Sequence, residues 1–180
     1  MDNLPRENSI LNNSEFVSKK TISESTPPYI TIGTHYKCNA DCIFCLGGNF
    51  PEFTFDRYKN FFENKLAKVL RNAVHIGFCG FGETLLMPDI EKFLLYINDT
   101  LPSANKVFTT NGTPLNPLIT DVLTSGNFSI LISLHASNQN LHQYLTNTHS
   151  FKRIIAQIND LVKLKKNRNS SLHINLIFLV

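Results

Sequence analysis

Thr34-His-Tyr-Lys-Cys38-Asn-Ala-Asp-Cys42-Ile-Phe-Cys45-Leu-Gly-Gly48 places three of the chain's four cysteines in a C-x3-C-x2-C run. The run follows directly on Tyr29-Ile-Thr-Ile-Gly33, an apolar strand-like segment, so its thiols converge on one small loop at a strand end. That geometry suits an iron–sulfur centre with an incomplete protein ligand set. A [4Fe–4S] cube takes four thiolates, and three leave one iron open to a small molecule. Structural zinc is the competing metal, and His35 could complete its site. Zinc, however, favours closed four-ligand sites of paired cysteines or Cys/His mixtures, and no second pair is present. Disulfides fit poorly, because no secretory segment precedes the run and a bridge inside so short a loop is strained.

Working outward, the chain alternates apolar runs of two kinds. Residues 29–33, 74–79, 106–110, 128–134 and 172–180 read as strands. Between them, Phe55–Leu70, Asp89–Asn98, Pro117–Thr124 and Phe151–Lys166 carry apolar residues at helical spacing, with Pro88 suited to a first turn. Strands alternating with helices predict right-handed βαβ units and a parallel sheet. In such sheets and barrels ligands sit at the carboxyl ends of the strands. Each unusual polar cluster falls there: the cysteines, Gly80-Phe-Gly-Glu83, Thr109-Thr-Asn-Gly112 and Ser133-Leu-His135.

With 180 residues, 42% of them apolar, and a net charge of +3, the chain can bury one core and has no strongly basic character. No segment reads as a membrane span. The Lys163, Lys165, Lys166, Arg168 group reads as a solvated helix end, so nucleic acid is a minor candidate partner. Four cysteines without a secretory signal fit a reducing cytoplasm. Residues 1–27, rich in Asn, Ser, Glu and Lys and ending at Pro27-Pro28, are expected to form a flexible leader, with the core domain spanning 28–180.

Taken together and in this order, Cys38-Asn-Ala-Asp-Cys-Ile-Phe-Cys45, Gly80-Phe-Gly-Glu-Thr-Leu-Leu86, Thr109-Thr-Asn-Gly112 and Ser133-Leu-His135 resemble the radical S-adenosylmethionine enzymes over about residues 29 to 180. The resemblance implies a partial (β/α)6 barrel. It implies that Cys38, Cys42 and Cys45 hold a [4Fe–4S] cluster whose open iron is chelated by S-adenosylmethionine, which is cleaved to a 5′-deoxyadenosyl radical that takes hydrogen from substrate. A reductant such as a flavodoxin or ferredoxin is implied as electron donor. By position, Phe44 is implied near the adenine, Gly82 and Glu83 at the methionine ammonium, and Ser133, Thr110 and Asn111 at the carboxylate or ribose.

Two departures stand out, Phe81 in place of a glycine and Thr84 in place of a common proline. Other roles fit some of these residues as well: core packing for Phe44, a helix-start carboxylate for Glu83, turn chemistry for Asn111-Gly112. Cys79 reads as buried core, and His135 as the histidine that faces the pocket. The barrel of the family has six strands, so an apolar fifth strand reaching Val180 predicts truncation after that strand. Substrate is unassigned, with peptide modification one candidate, radical RNA methylation a lower one, and a non-catalytic metal-binding module the alternative from another class.

Overall fold

The computed structural model describes residues 3–47 and 54–179. Five strands, β1 (Tyr29–Ile32), β2 (His75–Phe78), β3 (Asn105–Thr110), β4 (Phe128–Ser133) and β5 (His173–Ile177), form one all-parallel sheet in sequential order. Sequential order distinguishes this sheet from a doubly wound one. Every crossover turns the same way, so the helices collect on one face and the other faces the lumen of an incomplete barrel.

The α/β class and partial barrel are as the sequence predicts. The first crossover is α2 (Phe55–Phe61), a π-helical segment (Phe62–Leu66) and α3 (Ala67–Arg71), where the sequence pattern predicts one uninterrupted helix. Then come α4 (Ile90–Thr100), α5 (Pro117–Ser125), α6 (Gln139–Thr146) and α7 (Phe151–Asn167). Pro88 lies ahead of α4 rather than within it, since Asp89 is the N-cap. Asn116 caps α5 by accepting from the Ile119 N–H.

Period-two alternation sorts the strands. Ile76, Phe78, Phe108, Ile130 and Ile132 are fully buried and pack against Leu70, Phe93, Leu94, Ile97, Leu123, Ile154 and Leu161 of the helices. Phe78 stacks on Phe108 and meets Phe93 edge-on, so an aromatic seam ties β2, β3 and α4 together. The same face buries Lys106, whose Nζ donates to the Leu101 carbonyl and sits 4.9 Å from the centroid of the Phe128 ring. Burial pushes this lysine down to about 8.

Residues expected to form a flexible leader contain a helix, α1 (Leu4–Val17). It docks by its polar side. Asn8 Nδ2 donates to the Thr26 and Asn72 carbonyls, and Glu15, 4% exposed, accepts from the Glu24 and Ser25 N–H groups and from Ser25 Oγ. Buried side-chain hydrogen bonds replace the apolar stripe that would have announced a helix. Among the described residues, no helix is long and apolar enough to cross a membrane.

Candidate active site

The carboxyl ends of the strands open onto a cavity of about 170 Å³. Its lining includes Cys38, Cys42, Cys45, Phe44, Gly82, Glu83, Thr110, Asn111 and Ser133, the nine residues to which the resemblance gives a cluster or nucleotide role, together with His135, Cys79, His142, Thr146, Thr148 and Ser150. What gathers them is the way the cysteine loop is tied down.

Three neighbours hold that loop. Gly82 lies against its stem so closely that a Cβ there would sit 2.4 Å from the His35 oxygen, and the Glu83 N–H donates to the Lys37 carbonyl at 2.9 Å. Close approach of chain to chain, rather than of chain to ligand, therefore already requires this glycine. Thr84, standing where the family pattern has proline, uses its hydroxyl to pair with Thr34 Oγ1 at 2.7 Å, both side chains being fully buried. On the far side, the Asp41 and Ile43 N–H groups donate to the Thr146 and Leu145 carbonyls at the end of α6, bracketing Cys42. At the loop's start, Asn111 Nδ2 donates to Asn39 Oδ1 at 2.8 Å and to Cys38 Sγ at 3.7 Å.

Glu83 is 2% exposed. Its carboxylate accepts from the Asn111 N–H at 2.6 Å, from the Leu85 N–H at 3.2 Å and from the Thr110 hydroxyl. Burial pushes it up to about 7, against the pull of these donors. Between its ordinary value of 4.5 and about 7, the folded chain holds a proton that the unfolded chain has released. The wild type should therefore lose stability relative to Glu83→Gln as pH rises through that window, by on the order of 3 kcal/mol at most. Urea unfolding of both proteins at pH 5 and pH 7.5 checks this, and a difference that stays flat or reverses its slope contradicts it.

The opposite wall belongs to β4 and α6. His135 takes a left-handed backbone at φ 57°, with its N–H and that of Leu134 donating to the Ile177 carbonyl, and Phe44 meets its ring edge-on at 5.0 Å. His142, 2% exposed, joins it on the cavity wall, so two histidines face the pocket where the sequence indicates one. Burial lowers both below the usual imidazole range. Cys79 is corrected too. It lies just past the end of β2, half-exposed on the cavity wall rather than in the core, because its position in the alternation is on the lumen side.

Cys38 and Cys45 are exposed and Cys42 half-buried. Burial, and then the neighbouring Cys38 and Cys45, push the Cys42 thiol up to about 11. Thiolates crowded in this way favour a cationic centre between them. Among the described residues, no three His, Cys, Asp or Glu side chains converge where one metal ion would sit. His35, the candidate fourth zinc ligand, is buried and is not among the residues lining the cavity. Three cysteine thiols in one cavity lining, with an amide N–H on one sulfur, are a donor set that an iron–sulfur cluster would take.

Fold and site together describe a strand-end cavity with a three-thiol loop on a partial barrel. The chain belongs to the radical SAM superfamily, whose family model matches residues 32–179. It is 30% identical over 147 residues to the GTP 3′,8-cyclase of Clostridium acetobutylicum, covering 76% of this chain and 43% of that protein. Among solved structures, SuiB of Streptococcus suis bound to S-adenosylmethionine superposes with a TM-score of 0.64 at 18% identity, covering 95% of this chain and 36% of SuiB. SuiB is also seen bound to the precursor peptide SuiA. The structure of anSMEcpe with bound S-adenosylmethionine gives a TM-score of 0.65 at 17% identity, covering 84% of this chain and 44% of that one. The chain thus spans less than half the length of each of these three proteins.

Proposed function

We propose that this chain is the S-adenosylmethionine-cleaving core of a radical enzyme, with a [4Fe–4S] cluster on Cys38, Cys42 and Cys45. One observation carries the reading: the polar clusters at the ends of the first four strands line a single cavity, three thiols and a buried carboxylate among them. Loaded with cluster and nucleotide, such a cavity supplies one-electron cleavage of the sulfonium carbon–sulfur bond and hydrogen abstraction from a substrate.

The chain's own residues prepare that chemistry. Glu83 offers a carboxylate held in place by three donors to the ammonium of the methionine moiety, a charge-assisted contact. Phe44 and His135, joined edge to face, form an aromatic surface for a flat base, and Ser133 adds a hydroxyl to the same cavity for ribose or carboxylate. Thr110 acts through Glu83, and its hydroxyl also accepts from the Gly112 N–H. The apolar Ile154 and Phe44 faces help keep water from the reacting bond. The electron comes from a small reducing protein of the flavodoxin or ferredoxin kind. A peptide is the substrate class favoured, on the strength of the SuiB likeness.

Reconstitution with iron and sulfide in the absence of oxygen tests this. The expected result is a cubane charge-transfer absorption together with a paramagnetic signal, after reduction, that changes when S-adenosylmethionine is added. Stoichiometric zinc with no iron, or a cluster whose signal ignores the nucleotide, overturns the reading.

A further inference from the structure

Asn111 sits at the centre of a hydrogen-bond chain that reaches from the buried carboxylate to the cysteine loop. Its own N–H donates to Glu83, and its Oδ1 accepts from the Thr113 N–H at 2.9 Å and from Thr113 Oγ1 at 2.7 Å. A backbone N–H can only donate, so the Thr113 N–H fixes which end of the amide is oxygen. The NH2 end is thereby forced toward the cysteine loop. One of its hydrogens goes to Asn39 Oδ1 and the other faces Cys38 Sγ at 3.7 Å. Asn39 in turn donates to Thr113 Oγ1 at 2.7 Å, which closes the ring of contacts and holds the amide still. Asn111 is thus at once a turn residue and a sulfur donor.

We propose that Asn111 is a positioning residue that sets the reduction potential of the cluster through its N–H on Cys38, an inference that rests on the cluster assignment above. A hydrogen bond to a cluster sulfur stabilises the more negative, reduced form and so raises the potential. The amide on Cys38 therefore makes the one-electron reduction easier.

Three substitutions separate this role from a structural one. Asn111→Asp keeps an oxygen for the Thr113 N–H, and so keeps the turn, but turns a carboxylate oxygen toward Cys38. Asn111→Leu removes both the turn contact and the donor without adding charge. In redox titrations of the reconstituted proteins, poised with dithionite and mediators and followed by the paramagnetic signal, the expected order of potentials is wild type, then Leu, then Asp as the most negative. The Leu variant should shift the reduction equilibrium at least tenfold, about 59 mV for a one-electron couple.

A purely structural residue gives a different pattern: the Asp variant still falls, because its added charge lowers any nearby potential, but a third, neutral variant, Asn111→Ser, which keeps an oxygen for the Thr113 N–H without the amide donor, stays at the wild-type potential. That result, or potentials in all three variants equal to wild type, overturns the role of Asn111 while leaving the cluster assignment standing. If the Asp variant takes up no iron, the Ser variant decides, with a potential below wild type supporting the proposal and a wild-type potential overturning it. A wild-type chain that assembles no iron–sulfur centre overturns the site reading itself.

Discussion

Gly82→Ala is expected to reduce iron uptake and S-adenosylmethionine binding to near background, and to lower the melting temperature, even though the substitution adds a single methyl group. The added Cβ would lie 2.4 Å from the His35 oxygen, 2.4 Å from the Tyr36 carbonyl carbon and 2.6 Å from the Tyr36 Cα. These are backbone atoms and no rotamer change can move them, so residues 35–36 must shift or the Gly82 segment must withdraw. Either movement pulls on the Glu83 N–H contact to Lys37, one residue from Cys38, and displaces the carboxylate itself. Overpacking of this kind costs about 1–3 kcal/mol where neighbours can yield, and more where they cannot. The measurement pairs iron content after anaerobic reconstitution with a thermal melt followed by circular dichroism. Wild-type iron content and nucleotide affinity in the alanine variant would sink the claim that this contact sets the loop.

Cys42→Ala should lose the cluster altogether, whereas Cys79→Ala should keep it. Cys42 is the half-buried member of the three, and the α6 carbonyls hold its neighbours Asp41 and Ile43 on either side, so no other thiol of the loop can slide into its place. Cys79 lines the same cavity but belongs to the end of β2 rather than to the loop. Iron and sulfide analysis of the two variants beside wild type separates the ligand sets. Retention of iron by the Cys42 variant, or its loss from the Cys79 variant, means that the thiols have been assigned to the wrong centre.

Much of the architecture is legible from period and punctuation. The alternation of β2, β3 and β4 against the helical spacing of α4, α5 and α7 specifies βαβ units, and the polar clusters at strand ends mark the site. Elements that do not use apolar periodicity escape that reading. Helix α1 docks through Asn8 and Glu15, and α6 is a short helix capped by Asn138, whose side chain accepts from the Leu141 N–H at 3.0 Å. The Ser-Asn pair ahead of Leu141 and Tyr144 was the available signal for α6. Without that helix, His142 and the carbonyls that hold the cysteine loop stay out of view.

Sequence alone determined the parallel α/β class, the three-thiol loop and the residues that face one another at the strand ends, because strand-end position follows from chain order and side-chain period. Only the tertiary structure decided what each of those residues touches. Gly82 answers to the backbone of residues 35–36, Thr84 to Thr34, and Asn111 to both Glu83 and Cys38, contacts spanning 28 to 73 positions of chain. Short-range pattern carries no information about such pairings, since they are set by how five strands register side by side.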